Sequence, residues 1–69
     1  MSLLIKRSFT LTGHRTSVAL EQEFWEALTD LAAGQQTPLS TLVAEVDAAR
    51  GPDRPLASAL RVHALLRFR

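Results

Sequence analysis

The sequence predicts a small, mainly α-helical domain that opens with a β-strand, and three observations carry that reading. Up to Leu20 apolar residues alternate with polar or small ones, whereas after Glu21 they recur at the three-and-four spacing of a helix. Gly34 with Thr37-Pro38, and then the GPDRP stretch at 51–55, divide the remainder into three helical segments. A length of 69 residues leaves room for one domain, residues 1–69, and a modest core.

The extended segment has two readings. In the first, only residues 14–20 form a strand and 1–13 are a basic arm; Thr16, Val18 and Leu20 share one face, and Arg15, Ser17 and Ala19 share the other. In the second, Thr12-Gly13 is a two-residue turn and 1–13 contributes an extra strand. Leu11 then pairs with His14, Phe9 with Thr16 and Ile5 with Leu20. The opposite face collects Lys6, Ser8, Thr10, Arg15, Ser17 and Ala19, and Arg7 opposite Val18 is the misfit on the apolar side. Both readings put Arg15 and Ser17 on the surface away from the core.

The first helix is predicted over 21–33, with Phe24, Leu28, Leu31 and Ala32 as its apolar stripe and Glu23, Glu26 and Asp30 in water. Acids in its first turn suit the positive end of the helix dipole, and Gly34 is its expected stop. The second helix is predicted over 37–50, with Thr37 as N-cap, Pro38 at the first helical position and Leu39, Leu42, Val43 and Val46 turned inward. The third runs over 55–68. Leu56, Leu60, Val62, Leu65, Leu66 and Phe68 spread over more than half its circumference, which implies burial against its own chain on one side and against a partner on the other.

A core of this size supplies only about 3–5 kcal/mol. Disulfides are excluded by the absence of cysteine, and a structural metal by having only His14 and His63, with no second ligand at metal spacing. Self-association remains. The lack of cysteine fits a reducing cytoplasm, and no stretch approaches the roughly 20 apolar residues of a membrane span. MSLLIKRSF lacks the pattern of a signal peptide, so a soluble, unprocessed chain is expected.

Charge is segregated rather than large. The net value is +1, but residues 1–20 carry +3 with no acid, 21–50 carry −5, and the tail from Gly51 carries +3. Doubling the N-terminal segment in a dimer would create a basic surface of the kind that attracts phosphate. Catalysis finds no support: there is no Cys, no Tyr, no glycine-rich phosphate loop and no His-x-x-x-His pair, so neither an enzyme nor a cofactor is expected. The remaining polar residues have structural readings: His14 in a turn, His63 packed in a helix with a hydrogen bond, Asp47 paired with Arg50 or with an arginine of a second subunit, and Arg61, Arg67 and Arg69 as a solubilising face. Phe24 and Trp25 are expected in the core or a dimer seam.

The segments GHRTSVALE, EFWEAL and LVAEVDAARG resemble the ribbon-helix-helix family of dimeric DNA-binding proteins, in particular a short bacterial branch, across nearly the whole chain. The resemblance implies an intertwined homodimer whose strands pair across a two-fold axis into an antiparallel ribbon that enters the DNA major groove. Carried onto this sequence, the base-reading positions are Arg15, Ser17 and Ala19. Lys6, Arg7 and Ser8 would add contacts from the upstream segment, and Thr37 and Ser40 would hold a phosphate at the start of the second helix. Pro38 stands where the family more often has a hydrogen-bonding residue. The implied role is a transcriptional repressor that binds double-stranded DNA, with dimers able to pair further on it. A protein-interaction module using the third helix, or an antitoxin, is the alternative.

Overall fold

A computed structural model describes residues 3–68; Arg69, placed above on the solubilising face, lies outside the described residues. The elements are β1 (Leu4–Leu11), β2 (His14–Glu21), α1 (Gln22–Gly34), α2 (Leu39–Ala49) and α3 (Leu56–Arg67).

β1 and β2 form an antiparallel hairpin. Thr12 and Gly13 both take positive φ, 50° and 82°, as the type I′ turn that suits the twist of a two-residue hairpin requires. The register pairs Leu11 with His14, Phe9 with Thr16 and Ile5 with Leu20. Residues 4–11 are therefore a strand rather than a loose arm, and the second reading of the N-terminus holds. On the inward face Leu11, Val18 and Leu20 are buried, and Phe9 and Thr16 are half-buried.

Arg7 shares that inward face, opposite Val18, without being buried. Its guanidinium lies 5.2 Å from the centre of the Trp25 ring, a cation–π arrangement that lets a charge sit at the margin of the core. Phe9 packs against the same ring at 5.9 Å between centroids, and the Trp25 Nε1–H donates to the Ile5 carbonyl at 2.8 Å. Trp25, with Leu28 and Ala32, leads the buried stripe of α1, while Phe24 is only half-buried. The expected stripe was thus rotated by one residue at its start, because β1 covers the side of α1 on which Trp25 lies.

α1 begins after Glu21, which is still extended (φ −62°, ψ 151°) as the last residue of β2. It does not stop at Gly34 in the expected way. Gly34 is its last helical residue, and the left-handed position is Gln36, φ 58°. The Gln36 N–H donates to the Ala33 carbonyl and the Thr37 N–H to the Ala32 carbonyl, each at 3.0 Å, which is a Schellman motif closed by a non-glycine residue.

That closure also overturns the predicted start of α2. Because the Thr37 backbone is held back onto α1, Pro38 becomes the N-cap, with φ −64° and ψ 152°, and no side chain caps the helix. The Thr37 Oγ1 is buried without a hydrogen-bond partner. Leu42, Val43 and Val46 are buried as predicted, and the Arg50 Nε donates to the Asp47 carboxylate at 2.8 Å.

α3 packs through small residues. Ala59, Leu60 and Ala64 are buried, whereas Leu65, Leu66 and Phe68 stand 63%, 50% and 57% exposed. Ala59 and Ala64 flank the fully buried Leu60 on the face turned to the core, and Leu65, Leu66 and Phe68 lie outside it. The three helices and the inward face of the hairpin enclose one core centred on Leu20, Trp25, Leu28, Leu42, Val43 and Leu60. Among the described residues no helix is long and apolar enough to cross a membrane.

Candidate nucleic-acid interface

The surface that the hairpin turns away from this core carries Leu4, Lys6, Ser8 and Thr10 from β1 against Glu21, Ala19, Ser17 and Arg15 from β2. Strict alternation along a strand puts these eight side chains on one side, and the two-residue turn fixes which of them are neighbours. Lys6 lies across from Ala19, Ser8 from Ser17 and Thr10 from Arg15. The two cations therefore occupy diagonally opposite corners, four residues apart along the ribbon, or roughly 13 Å.

Between them the Ser8 and Ser17 hydroxyls share a hydrogen bond at 3.1 Å. Each hydroxyl keeps further capacity to donate or accept, so the pair fixes the two side chains without consuming them. Arg15 and Lys6 are exposed and have no salt bridge among the described residues. The one acid on this side, Glu21, is occupied: its Oε1 lies 3.0 Å from both Nε and Nη2 of Arg61. A hydrogen bond from its own backbone, followed by the Arg61 contact, holds its carboxyl below the ordinary glutamate value. The middle of the face is consequently basic and hydroxylic, with no free carboxylate.

Backbone direction adds a second property. A two-residue turn makes Leu11 and His14 a hydrogen-bonded pair, so the N–H and C=O groups of Arg15, Ser17 and Ala19 point along the outer edge of β2. Those of Lys6, Ser8 and Thr10 point along the outer edge of β1 by the same alternation. The sheet has two strands and hence two open edges.

The described residues hold no group of three or more His, Cys, Asp or Glu placed for a metal. The ribbon-helix-helix domain family model matches residues 4–68, that is, the hairpin and all three helices. The chain belongs to the ribbon-helix-helix family. Neither a curated protein nor a solved structure shows significant similarity to it.

In this ribbon-helix-helix chain β1 and β2 pair with each other within one chain. The face unites Arg15, Ser17, Ala19, Lys6 and Ser8, and adds Thr10, which the pairing arithmetic of the hairpin placed there but the family pattern did not single out. Arg7 is on the other side, against Trp25. Thr37 and Ser40 are separate from the face, in the turn before α2 and in its first turn. Ser40 is exposed, and the Leu39 and Ser40 N–H groups precede the first bonded amide of the helix, Thr41, which donates to the Pro38 carbonyl.

Proposed function

We propose that this protein is a homodimeric DNA-binding regulator, acting as a repressor, that lays the outward face of its hairpin in the major groove. The observation that carries the reading is the ordered, acid-free row of Lys6, Ser8, Thr10, Arg15 and Ser17 on a family fold built to present such a row. In the dimer an open strand edge of each hairpin pairs with its counterpart across a two-fold axis, which removes an unpaired row of backbone groups and sets one strand of each chain at the centre of the reading surface, the two-strand width that the groove admits. Arg15 forks onto guanine, Ser8, Ser17 and Thr10 donate to or accept from base edges, and Ala19 offers its methyl group to thymine. Lys6 reaches a flanking phosphate, Arg7 is turned away from the groove against Trp25, and the start of α2 with Ser40 binds a phosphate through free N–H groups. Thr37, its hydroxyl buried, contributes through the turn it shapes.

Selection from random double-stranded DNA at low salt tests this. A two-fold-related motif is expected, with binding that weakens steeply as salt rises. Arg15→Ala is expected to lose about 1–3 kcal/mol and to relax preference at one base position of each half-site. Failure to enrich any motif would remove sequence selectivity from the reading.

A second reading, a protein-interaction module on the same fold, is favoured by the exposed Leu65, Leu66 and Phe68 of α3 and by the acidic exposed side of α1, with Glu23, Glu26 and Asp30. It requires a stoichiometric protein partner that survives nuclease treatment.

A further inference from the structure

We infer that the outer stripe of α3 formed by Leu65 and Phe68 belongs to the dimer interface, continuous with the open edge of β2, and that a second copy of this chain covers it. The inference rests on the homodimer of the reading above and says which of its two open edges that dimer uses.

The stripe is defined by where it starts. From α3 the Arg61 Nε donates to the Glu21 carboxylate at the end of β2, at 3.0 Å, and the guanidinium lies 5.7 Å from the centre of the half-buried Phe24 ring. Leu65 and Phe68 follow Arg61 by four and seven residues, so they continue the side of α3 on which β2 and Phe24 lie. Val62 and Leu66 turn instead toward α2, where they line a groove with Val46 and Ala49. His63 is on that α2 side too, its Nε2 buried without the hydrogen bond expected of it. The two exposed halves of α3 are therefore separate surfaces, and only one adjoins the ribbon.

Symmetry points to a second copy on that half. Reading a groove requires the outward faces of both hairpins on one side, so the two-fold axis stands normal to the ribbon and sets the two helical layers side by side beneath it. On the β2 side the element met there is α3. Area points the same way: a strand edge alone falls well short of the roughly 1,200–2,000 Å² in total that a stable interface covers, and the exposed Leu65 and Phe68 add apolar surface where β2 ends. The β1 side offers a poorer seam. Its flank is α1, and the depression between them is lined by Arg7, Gln22, Trp25, Glu26, Thr29 and Asp30, two acids against one cation. A two-fold axis there would set an acidic flank against its own copy. Beside β2 the one acid, Glu21, is held by Arg61, and antiparallel pairing about the middle of the strand carries Arg15 of each copy toward residues 19–21 of the other, so like charges do not meet. Arg15, Ser17 and Ala19 then stand at the centre of the reading surface, with Lys6, Ser8 and Thr10 at its flanks.

Analytical ultracentrifugation of the full chain without DNA tests the seam. The parent is expected to be dimeric at micromolar concentration. Leu65→Glu is expected to weaken the dimer about a hundredfold, because a two-fold interface contains the substitution twice, whereas Leu66→Glu, on the α2 side of the same helix, is expected to change it by less than about threefold. Both side chains are exposed, so the fold tolerates either change. Amide hydrogen exchange in the parent reads the edge with no substitution: the N–H groups of Arg15, Ser17 and Ala19 are expected to be protected, and those of Lys6, Ser8 and Thr10 to exchange fast. A dimeric parent that keeps its affinity in Leu65→Glu, or loses it equally in Leu66→Glu, overturns the inference and leaves the DNA reading standing. So does protection along β1 in place of β2. A parent that stays monomeric removes the homodimer itself, and the inference with it.

Discussion

At Thr12 the backbone adopts φ 50°, a left-handed conformation in which a β-branched side chain is strained by about 1–3 kcal/mol. The turn type demands it, because both central residues of a type I′ hairpin have positive φ and only Gly13 meets that demand freely. Thr12→Asn creates the preferred Asn-Gly pair and is expected to raise stability by about 1 kcal/mol, read from urea denaturation with an unchanged slope. A variant no more stable than the parent would mean that the strain is relieved elsewhere. Trp25 shows what single-residue reading misses. The helical stripe pointed to Phe24 as the inward ring, yet it is Trp25 that is buried; the answer depends on β1, whose Ile5 carbonyl accepts the indole N–H and whose Phe9 and Arg7 flank the ring. Arg7, a misfit when judged by polarity alone, is explained by the same ring.

At the scale of elements, local chemistry predicted existence better than ends. The alternation through Phe9, Leu11, Thr16, Val18 and Leu20 fixes the hairpin register once the Thr-Gly turn is placed, but it did not choose between that hairpin and a lone strand with a loose arm; the pairing of residues 4–11 decides it. The junction between α1 and α2 was less legible. Thr37-Pro38 carries a strong start signal, yet the Schellman closure claims the Thr37 N–H for the preceding helix and shifts the cap to Pro38. The same junction yields a paired prediction. Gly34 is helical, and a Cβ there would meet nothing within 4 Å, so Gly34→Ala is expected to stabilise by about 0.5–1 kcal/mol. Gln36→Gly relieves the left-handed position and is expected to stabilise by about 1 kcal/mol. Thermal unfolding of both variants checks the motif; a destabilised Gly34→Ala chain would place the helix end elsewhere. In α3 the expected Leu60 is fully buried and Leu56 packs against the core, while Ala59 and Ala64, which the leucine pattern did not single out, complete the packed face and Leu65 and Leu66 stand outside it.

The whole molecule couples its stability to pH through one residue more than through its net charge. Burial, and then the nearby Arg67, hold the His63 imidazole below the ordinary value of 6.5, against a smaller opposing pull from Glu45. The unfolded chain takes up this proton as pH falls through 6.5, while the folded chain resists until lower pH. His63 therefore contributes stability that is complete above 6.5 and is lost as pH drops toward its folded value. The urea midpoint is expected to fall between about pH 7 and about pH 5, and to fall less in His63→Gln; equal slopes in the two chains would assign the loss to other groups. Glu21, with its carboxyl held low, titrates below this window.

The self-contained hairpin governs the order in which the molecule comes together. Its last paired residue is Glu21, so the sheet is fully specified before any helix has been synthesised. An isolated hairpin is marginal in water, and this one is secured only when the next turn of chain brings the Trp25 indole beneath it. Each newborn polypeptide can thus pair its own strands at a rate set by short-range loop closure, without waiting for a second copy to supply one.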